Sequence, residues 1–385
     1  MKKKKILSAL LALSMMFIIT ACGDKDKDSS SESKAQSSKT ESSSSANNND
    51  NNTAEIKSTG PNGETAVNAT TLKLTDEEID KIKAGKYKAA ICLHYGGNDW
   101  STSQVKGLTD TFKKLGIEIV ATTDANFSAE QQVADIETIM ALKPDILISI
   151  PTDAVATADA YQRAADSGIR IVFMDNVPSG FKAGKNYVSC VSADNYGNGI
   201  IAADLIGEAL DGKGKIGVVF YDVDFFVTNQ RLEAFEKTMK DKYPDIEVVS
   251  KMGFTDTNAA SSVADAMLTQ NPNINAIFAH WDVPCEGVLS SLRAGGYKDV
   301  KLSTIDLGNN IAKEIAEGTV LGLGAQLPYD QGVAEATLAA YSLLDKEAPA
   351  YVAVPAMRVD SNNIIDAYTK VYHVDAPDWL KEAAE

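Results

Sequence analysis

His94, Asn98, Asp99 and Trp100 follow one short apolar run of the chain, and Asp175 and Asn176 follow another. Later runs end in Asp222, Asp224, Phe225 and Phe226, then Phe254, then His280, Trp281 and Asp282, then Asp306, then Gln326; Arg231 lies on the helical segment after the first of these. Carboxylates, amides, one guanidinium and flat aromatics are the groups that recognise a polyol. Carboxylates accept from vicinal hydroxyls, amides both donate and accept, an arginine fork donates to two oxygens, and rings cover apolar C–H faces.

Groups for covalent chemistry are scarce. The chain has three histidines, and His373 sits in the tail. Gly212-Lys213-Gly214-Lys215-Ile216-Gly217 spells Gly-x-Gly-x-x-Gly but precedes a strand, where a dinucleotide site needs it between strand and helix. It reads as a helix-to-strand loop. No phosphate-binding loop of the Gly-x-x-x-x-Gly-Lys-Ser/Thr type and no nucleophile elbow occurs. Nor does any Cys-x-x-Cys or His-x-x-x-His spacing, so no metal, cofactor or catalytic residue is expected. Asp222 and Asp224 are too few for calcium, which takes six or more oxygens. They read as a solvated loop.

The elements that place these residues are visible as a repeat. Apolar runs centred on Ile91, Ile119, Leu147 and Val172 are spaced by 28, 28 and 25 residues, and a second set at Val218, Val248, Ile277 and Leu302 by 30, 29 and 25. Each spacing fits one βα unit, and the runs are nearly continuous apolar, as strands buried on both faces are. Val105, Leu108, Phe112 and Leu115 recur at helical spacing between them, as do Val133, Ile136 and Met140 after a Ser128 cap, and Leu232, Phe235 and Met239. The 46 residues between Val172 and Val218 divide the units into two quartets, which favours two doubly wound lobes over one barrel. The tail adds a run at Val320–Leu323, a helix over Pro328–Leu344 and a run at Tyr351–Val354. In open α/β sheets, ligands bind beyond the carboxyl ends of the strands, where the polyol-recognising residues fall.

Before the repeat comes a different kind of chain. Lys2 to Lys5 precede an uncharged run of 15 residues, Ile6 to Thr20, too short for a membrane span of about 20. Ala21-Cys22 ends it. From Ser29 to Thr53, ten of 25 residues are Ser and five are Asn, a composition that cannot bury enough surface to order itself. Thr75 and Glu78 are spaced as a capping box, so the fold is expected to begin near Leu72. Net charge is −16, or −20 without the leader's lysines, which excludes nucleic-acid binding. Four cysteines make no disulfide framework. Cys92 and Cys190 read as buried small hydrophobes, while Cys285, starting a helix near the proposed cleft, is placed for greater reactivity.

Several segments together resemble the ribose-type, periplasmic-binding-protein-like (type 1) sugar-binding proteins of ABC transporters. They are Ile150-Pro151-Thr152-Asp153, Phe173-Met174-Asp175-Asn176, Ser192-Ala193-Asp194-Asn195, Asn229 to Phe235, Ile305-Asp306 and Ala325 to Gln331, in the expected order from about Tyr87 to Tyr372. The leader likewise resembles a bacterial lipoprotein's, with Cys22 the lipidated N-terminus. The resemblance implies an α/β fold of two doubly wound Rossmann-like lobes joined by three crossover strands, near Ala193, Gln326 and Pro355. It implies ligand roles for Asn98, Trp100, Asp175, Arg231, Phe254, Asp306 and Gln326, to which the residues themselves add His94, Asn176 and Trp281. The bland alternatives are helix caps for Asp175 and Asp306, core packing for the two tryptophans and for His94 and His280, and a solvated helix position for Arg231.

Two departures stand out. Ribose binders carry Arg where this chain has Asn176, and Asn where it has Trp281. A smaller or acyclic polyol, a tetritol or pentitol, is therefore expected in place of ribose.

The expected organisation is a signal peptide (1–21), a disordered tether (22–71), a first lobe (72–192 plus 327–355) and a second lobe (193–326 plus 356–385). The expected function is a monomeric, lipid-anchored, extracytoplasmic binder that delivers a small sugar or sugar alcohol to an ABC permease. A sugar-sensing module presenting its ligand to a receptor or sensor kinase is the alternative on the same fold. An exported α/β enzyme would need a cofactor site. A transcription regulator of related fold is set aside, because the leader and tether occupy the place of its helix-turn-helix.

Overall fold

The computed structural model describes residues 55–385. The leader, Cys22 and the Ser/Asn-rich stretch to Thr53 lie outside the described residues.

Strand β1 (Val67–Asn68) and helix α1 (Asp76–Gly85) precede a βα series: β2 (Lys88–Leu93), α2 (Asp99–Leu115), β3 (Glu118–Asp124), α3 (Ala129–Ala141), β4 (Ile146–Ser149), α4 (Ala158–Asp166), β5 (Arg170–Met174), β6 (Ser189–Ala193) and α5 (Asn195–Ala209). A second series runs β7 (Lys213–Tyr221), α6 (Phe226–Lys242), β8 (Asp245–Phe254), α7 (Ala260–Gln270), β9 (Ala276–Ala279), α8 (Asp282–Gly295), β10 (Lys301–Ile305), α9 (Asn309–Ala316) and β11 (Gly322–Ala325). The chain ends with α10 (Pro328–Leu343), β12 (Tyr351–Val354), β13 (Met357–Asp360), α11 (Ile364–Tyr372) and α12 (Asp378–Ala383).

The strands form two sheets among the described residues. One has the order β1-β12-β6-β5-β4-β2-β3 and the other β13-β11-β10-β9-β7-β8. Every pairing is parallel except β11 with β13. All eight expected run centres lie in strands. Strands β4, β9 and β12 are buried at every position, as their apolar runs require.

The chain passes between sheets three times: from β6 to α5 and β7, from β11 to α10, and from β12 to β13. The 46-residue interval holds a fifth βα pair, β6 and α5. Its strand is Ser-Cys-Val-Ser-Ala and its helix carries Gly197, Gly199 and Gly207, so neither shows an apolar period. Those small residues allow close packing: a Cβ on Gly199 would lie 2.3 Å from the Arg231 carbonyl oxygen. The same holds where α2 meets α10, since a Cβ on Gly107 would lie 2.1 Å from the Tyr329 carbonyl oxygen.

The caps act as the spacing predicts. Thr75 and Glu78 form a reciprocal capping box, and Ser128 accepts from the Gln131 N–H. Gly212 to Gly217 make the loop into β7 and its first half.

The start of the fold is earlier than the expected Leu72. From Lys57 the chain is already bound: the Lys57 and Ser58 N–H groups and the Ser58 hydroxyl donate to the Asp194 carboxylate at 2.8–2.9 Å, and Thr59 O accepts from Gln230 Nε2 at 2.8 Å. β1 then adds to the edge of the first sheet beside β12. Residues 55–71 thus belong to the folded body and not to a tether. Their polar composition hid this, because backbone and hydroxyl hydrogen bonds anchor the segment and its few apolar residues, Ile56, Ala66, Val67 and Ala69, pack against the core without a period that sequence can show.

Candidate functional site

The carboxyl ends of both sheets face one cavity of about 80 Å3. The loop after β2 supplies His94, Tyr95 and Asn98, the first turn of α2 Trp100, the loop after β3 Phe127, and the end of β5 Asp175. From the second sheet come Tyr221 and Phe225 around the end of β7, Thr228 and Arg231 on α6, Trp281 and Asp282 after β9, Asp306 after β10 and Gln326 after β11.

A continuous polar chain runs behind these side chains. Asp175 Oδ1 accepts from Ser192 Oγ at 2.6 Å, and Ser192 Oγ accepts from Asn195 Nδ2 at 2.8 Å. Asn195 Oδ1 accepts from Arg231 Nε at 2.8 Å, Arg231 Nη1 reaches Asp306 Oδ2 at 3.3 Å, and Asp306 Oδ1 accepts from Gln326 Nε2 at 2.7 Å. Ser192 and Asn195 flank the first crossover and Gln326 begins the second, so one network joins both walls and the hinge. Buried charges persist when paired and hydrogen-bonded in this way.

Asp175 and Asp306 hold left-handed backbone conformations, with φ of 55° and 69°. Aspartate tolerates this better than most residues, and such positions concentrate at functional sites. Burial pushes the Asp175 carboxyl up to about 6 against the pull of the Ser192 hydroxyl and Arg231. Burial also drives the Asp282 carboxyl well above the ordinary range, helped by the nearby Asp306.

Rings form the remainder of the lining. His94 stacks on Phe225 across the cleft (5.7 Å between centroids, 16° between planes) and meets Trp100 and Phe127 edge-on. Burial lowers the His94 imidazole to about 3, so it is neutral at physiological pH. At the mouth, Asp99 at the start of α2 accepts the N–H and the side-chain amide of Asn309, at the start of α9, at 2.7 and 2.9 Å. The two lobes are therefore latched together.

Of the ten ligand candidates, His94, Asn98, Trp100, Asp175, Arg231, Trp281, Asp306 and Gln326 line the cavity. Asn98 also caps α2 through the Ser101 N–H. Phe254 and Asn176 are not among its lining residues. Phe254 packs behind the wall, 5.4 Å from Trp281 and 5.7 Å from Tyr221 between ring centroids, because the bulky Trp281 occupies the space in front of it. Asn176 is buried beside the cleft. His280 lies behind too, accepting the Tyr221 N–H at Nδ1.

Cys285 is fully buried in α8, and burial pushes its thiol up, so the reactivity expected from its place near the cleft is absent. Cys92 and Cys190 are buried as read, and Asp222 and Asp224 are exposed. Tyr95, Phe127, Tyr221 and Thr228 were not singled out. The first three stand at strand ends, so position alone would have found them had rings been sought there as keenly as carboxylates.

Two lobes closed over a buried cavity of hydrogen-bonding groups and rings define a solute-binding fold. The chain belongs to the periplasmic binding protein domain family, whose family model matches residues 89–348. It is 26% identical over 232 residues to the ribose import binding protein of Bacillus subtilis, covering 60% of this chain and 73% of that protein. Its fold matches an ABC transporter periplasmic solute binding protein from Actinobacillus succinogenes with bound D-allose (TM-score 0.67, 26% identity, 73% of this chain and all of that one). It also matches a solute binding protein from Agrobacterium vitis with bound α-D-tagatopyranose (TM-score 0.70, 23% identity, 76% of this chain and all of that one).

Proposed function

We propose that this chain is an extracytoplasmic solute-binding protein that captures a small sugar or sugar alcohol between its lobes and hands it to an ABC permease. The observation that carries this is the buried chain from Asp175 through Arg231 to Gln326, which offers fixed donors and acceptors beneath aromatic walls. The sugar-binding relatives support the same class of ligand. A monomer anchored through lipid on Cys22 completes the reading, since the leader and polar stretch before Lys57 suit a lipoprotein.

The mechanism is a two-state hinge. In the open form the cavity faces water; a ligand bridging Asp175 on one wall and Arg231 and Asp306 on the other favours the closed form by its differential affinity. Because Ser192, Asn195 and Gln326 sit at the crossovers, the groups that hold the ligand also fix the backbone that bends. At roughly −0.8 kcal/mol per heavy atom, a ligand of ~10 heavy atoms reaches about −8 kcal/mol, which is micromolar binding.

The test is a thermal-shift screen of the mature chain against pentoses, hexoses, tetritols and pentitols. A ligand at 100 times its dissociation constant adds about 2.7 kcal/mol, a shift of a few degrees. Stabilisation by none of them would remove the sugar reading.

A further inference from the structure

Charge in the cleft does not balance. Asp175, Asp282 and Asp306 line it with Arg231 as the facing cation, and these four side chains belong to residues 3%, 6%, 7% and 4% exposed. Arg231 is committed to Asp306. Among the described contacts, Asp175 accepts from the Ser192 hydroxyl and Asp282 from the Val283 N–H, and neither meets a cationic side chain. Unpaired groups line the cavity as well: Gln326 Oε1, an acceptor, His94 Nδ1 and the Trp100 Nε1 donor have no partner among the described residues.

Two buried carboxylates without a cation in hydrogen-bonding contact are costly, and the site has two ways to relieve them: take up protons, or take up a cation. The walls favour the second. An ammonium donates three hydrogen bonds and accepts none, which suits a lining rich in acceptors. Tyr221, Phe225, Trp100 and Trp281 stand around the same cavity, and an aromatic quadrupole attracts a cation placed over its face.

Resting on the sugar-binding reading above, we propose that the ligand of this cleft is a polyhydroxylated amine, with its ammonium held by the Asp175 and Asp282 carboxylates and its hydroxyls by Arg231, Asp306 and Gln326.

The experiment is calorimetric titration of the mature chain at neutral pH with matched amine and hydroxyl pairs. They are D-glucosamine with D-glucose, D-galactosamine with D-galactose, 1-amino-1-deoxysorbitol with sorbitol, and 2-amino-1,3-propanediol with glycerol. In the pairs that bind, the amine is expected to bind about tenfold tighter or more. Asp282→Asn, isosteric and able to keep the Val283 contact, is expected to bring that ratio close to one; Asp175→Asn provides the same test from the other wall. Equal or weaker binding of the amines overturns the proposal and leaves the sugar-binding reading intact. An amine preference that both variants retain also overturns it, since the carboxylates would then not be its source. Binding of neither member of any pair removes both readings together.

Discussion

The first lobe meets the cleft with rings and a single carboxylate, His94, Tyr95, Trp100, Phe127 and Asp175; the second adds Arg231, Asp282 and Asp306 to its own rings, Tyr221, Phe225 and Trp281. On the second wall, Arg231 is already held by Asn195, the His280 carbonyl oxygen and Asp306. On the first, His94 Nδ1 and Trp100 Nε1 lack partners among the described residues. Gln326 Oε1 is likewise unpartnered on the second wall, so the contrast lies in the arginine: one wall's cation is preorganised by its own bonds, whereas the unsatisfied groups of the other belong to its rings. On the proposed hinge mechanism, a ligand would be oriented by the second lobe and complete the first as the cleft closes.

The sharpest way to break this contrast is Arg231→Ala. Removing one partner of a buried pair leaves the other charge uncompensated, so a loss of about 3–5 kcal/mol in unfolding free energy is expected, with ligand binding abolished. Chemical denaturation measures the first effect and titration calorimetry the second. Trp100→Phe, on the other wall, should lower affinity with far less loss of stability. Equal destabilisation by the two variants would erase the distinction between a preformed wall and a completed one.

Asp175, the first wall's carboxylate, is expected to give a pH signature. Its folded value of about 6 lies above the ordinary 3.8, so ionisation opposes folding. Its contribution is fully present below about pH 4 and is lost as pH rises through 6. At about 1.4 kcal/mol per unit, the lost stability amounts to roughly 3 kcal/mol. The stability difference between wild type and Asp175→Asn should fall across that window and stay level above it. A flat difference from pH 4 to 7 would mean that Asp175 is as well solvated as a surface carboxylate.

The contrast between walls was only partly legible in the sequence, and the reason is positional. Strand ends could be read because buried parallel strands are apolar runs of fixed spacing, which placed Asp175, Trp281 and Asp306 at the cleft. Depth could not be read. Phe254 stands at a strand end like its neighbours, yet lies behind Trp281, because which of two rings faces the ligand depends on side-chain packing and not on spacing. The supporting shell of Ser192 and Asn195 was hidden for a related cause: it belongs to a strand and helix of small residues with no apolar period. Residues 55–71 look like tether in the sequence because the bonds that anchor them at Lys57 to Thr59 are polar and their few apolar residues show no period.

That segment spans the two walls from behind. Ser58 donates to Asp194 and accepts the Tyr196 N–H at 2.9 Å, directly on the first crossover, while Thr59 binds Gln230 on α6. Ser58→Ala leaves a half-buried N–H without its acceptor, and a loss of about 2 kcal/mol is expected by denaturant titration. A change below a few tenths of a kcal/mol would mean that water replaces the hydroxyl and that the segment rests on the hinge without bracing it.

At the opposite side of the cleft, Asp99 and Asn309 join the walls by two hydrogen bonds, with Tyr368 donating to Asn309 Oδ1 at 2.8 Å to hold the amide in place. These bonds link α2 to α9, so separation of the lobes must break them, whereas either lobe alone keeps its own core. Asp99→Ala should therefore leave unfolding free energy nearly unchanged and act on closure. Losing about 1 kcal/mol from the closed form alone predicts an affinity about fivefold weaker. The change should appear in the release rate, as expected of a contact made on closure. Stopped-flow fluorescence from Trp100 and Trp281 can separate association from release. A slowed association with unchanged release would place the latch before ligand capture and reverse the order in which the two walls engage.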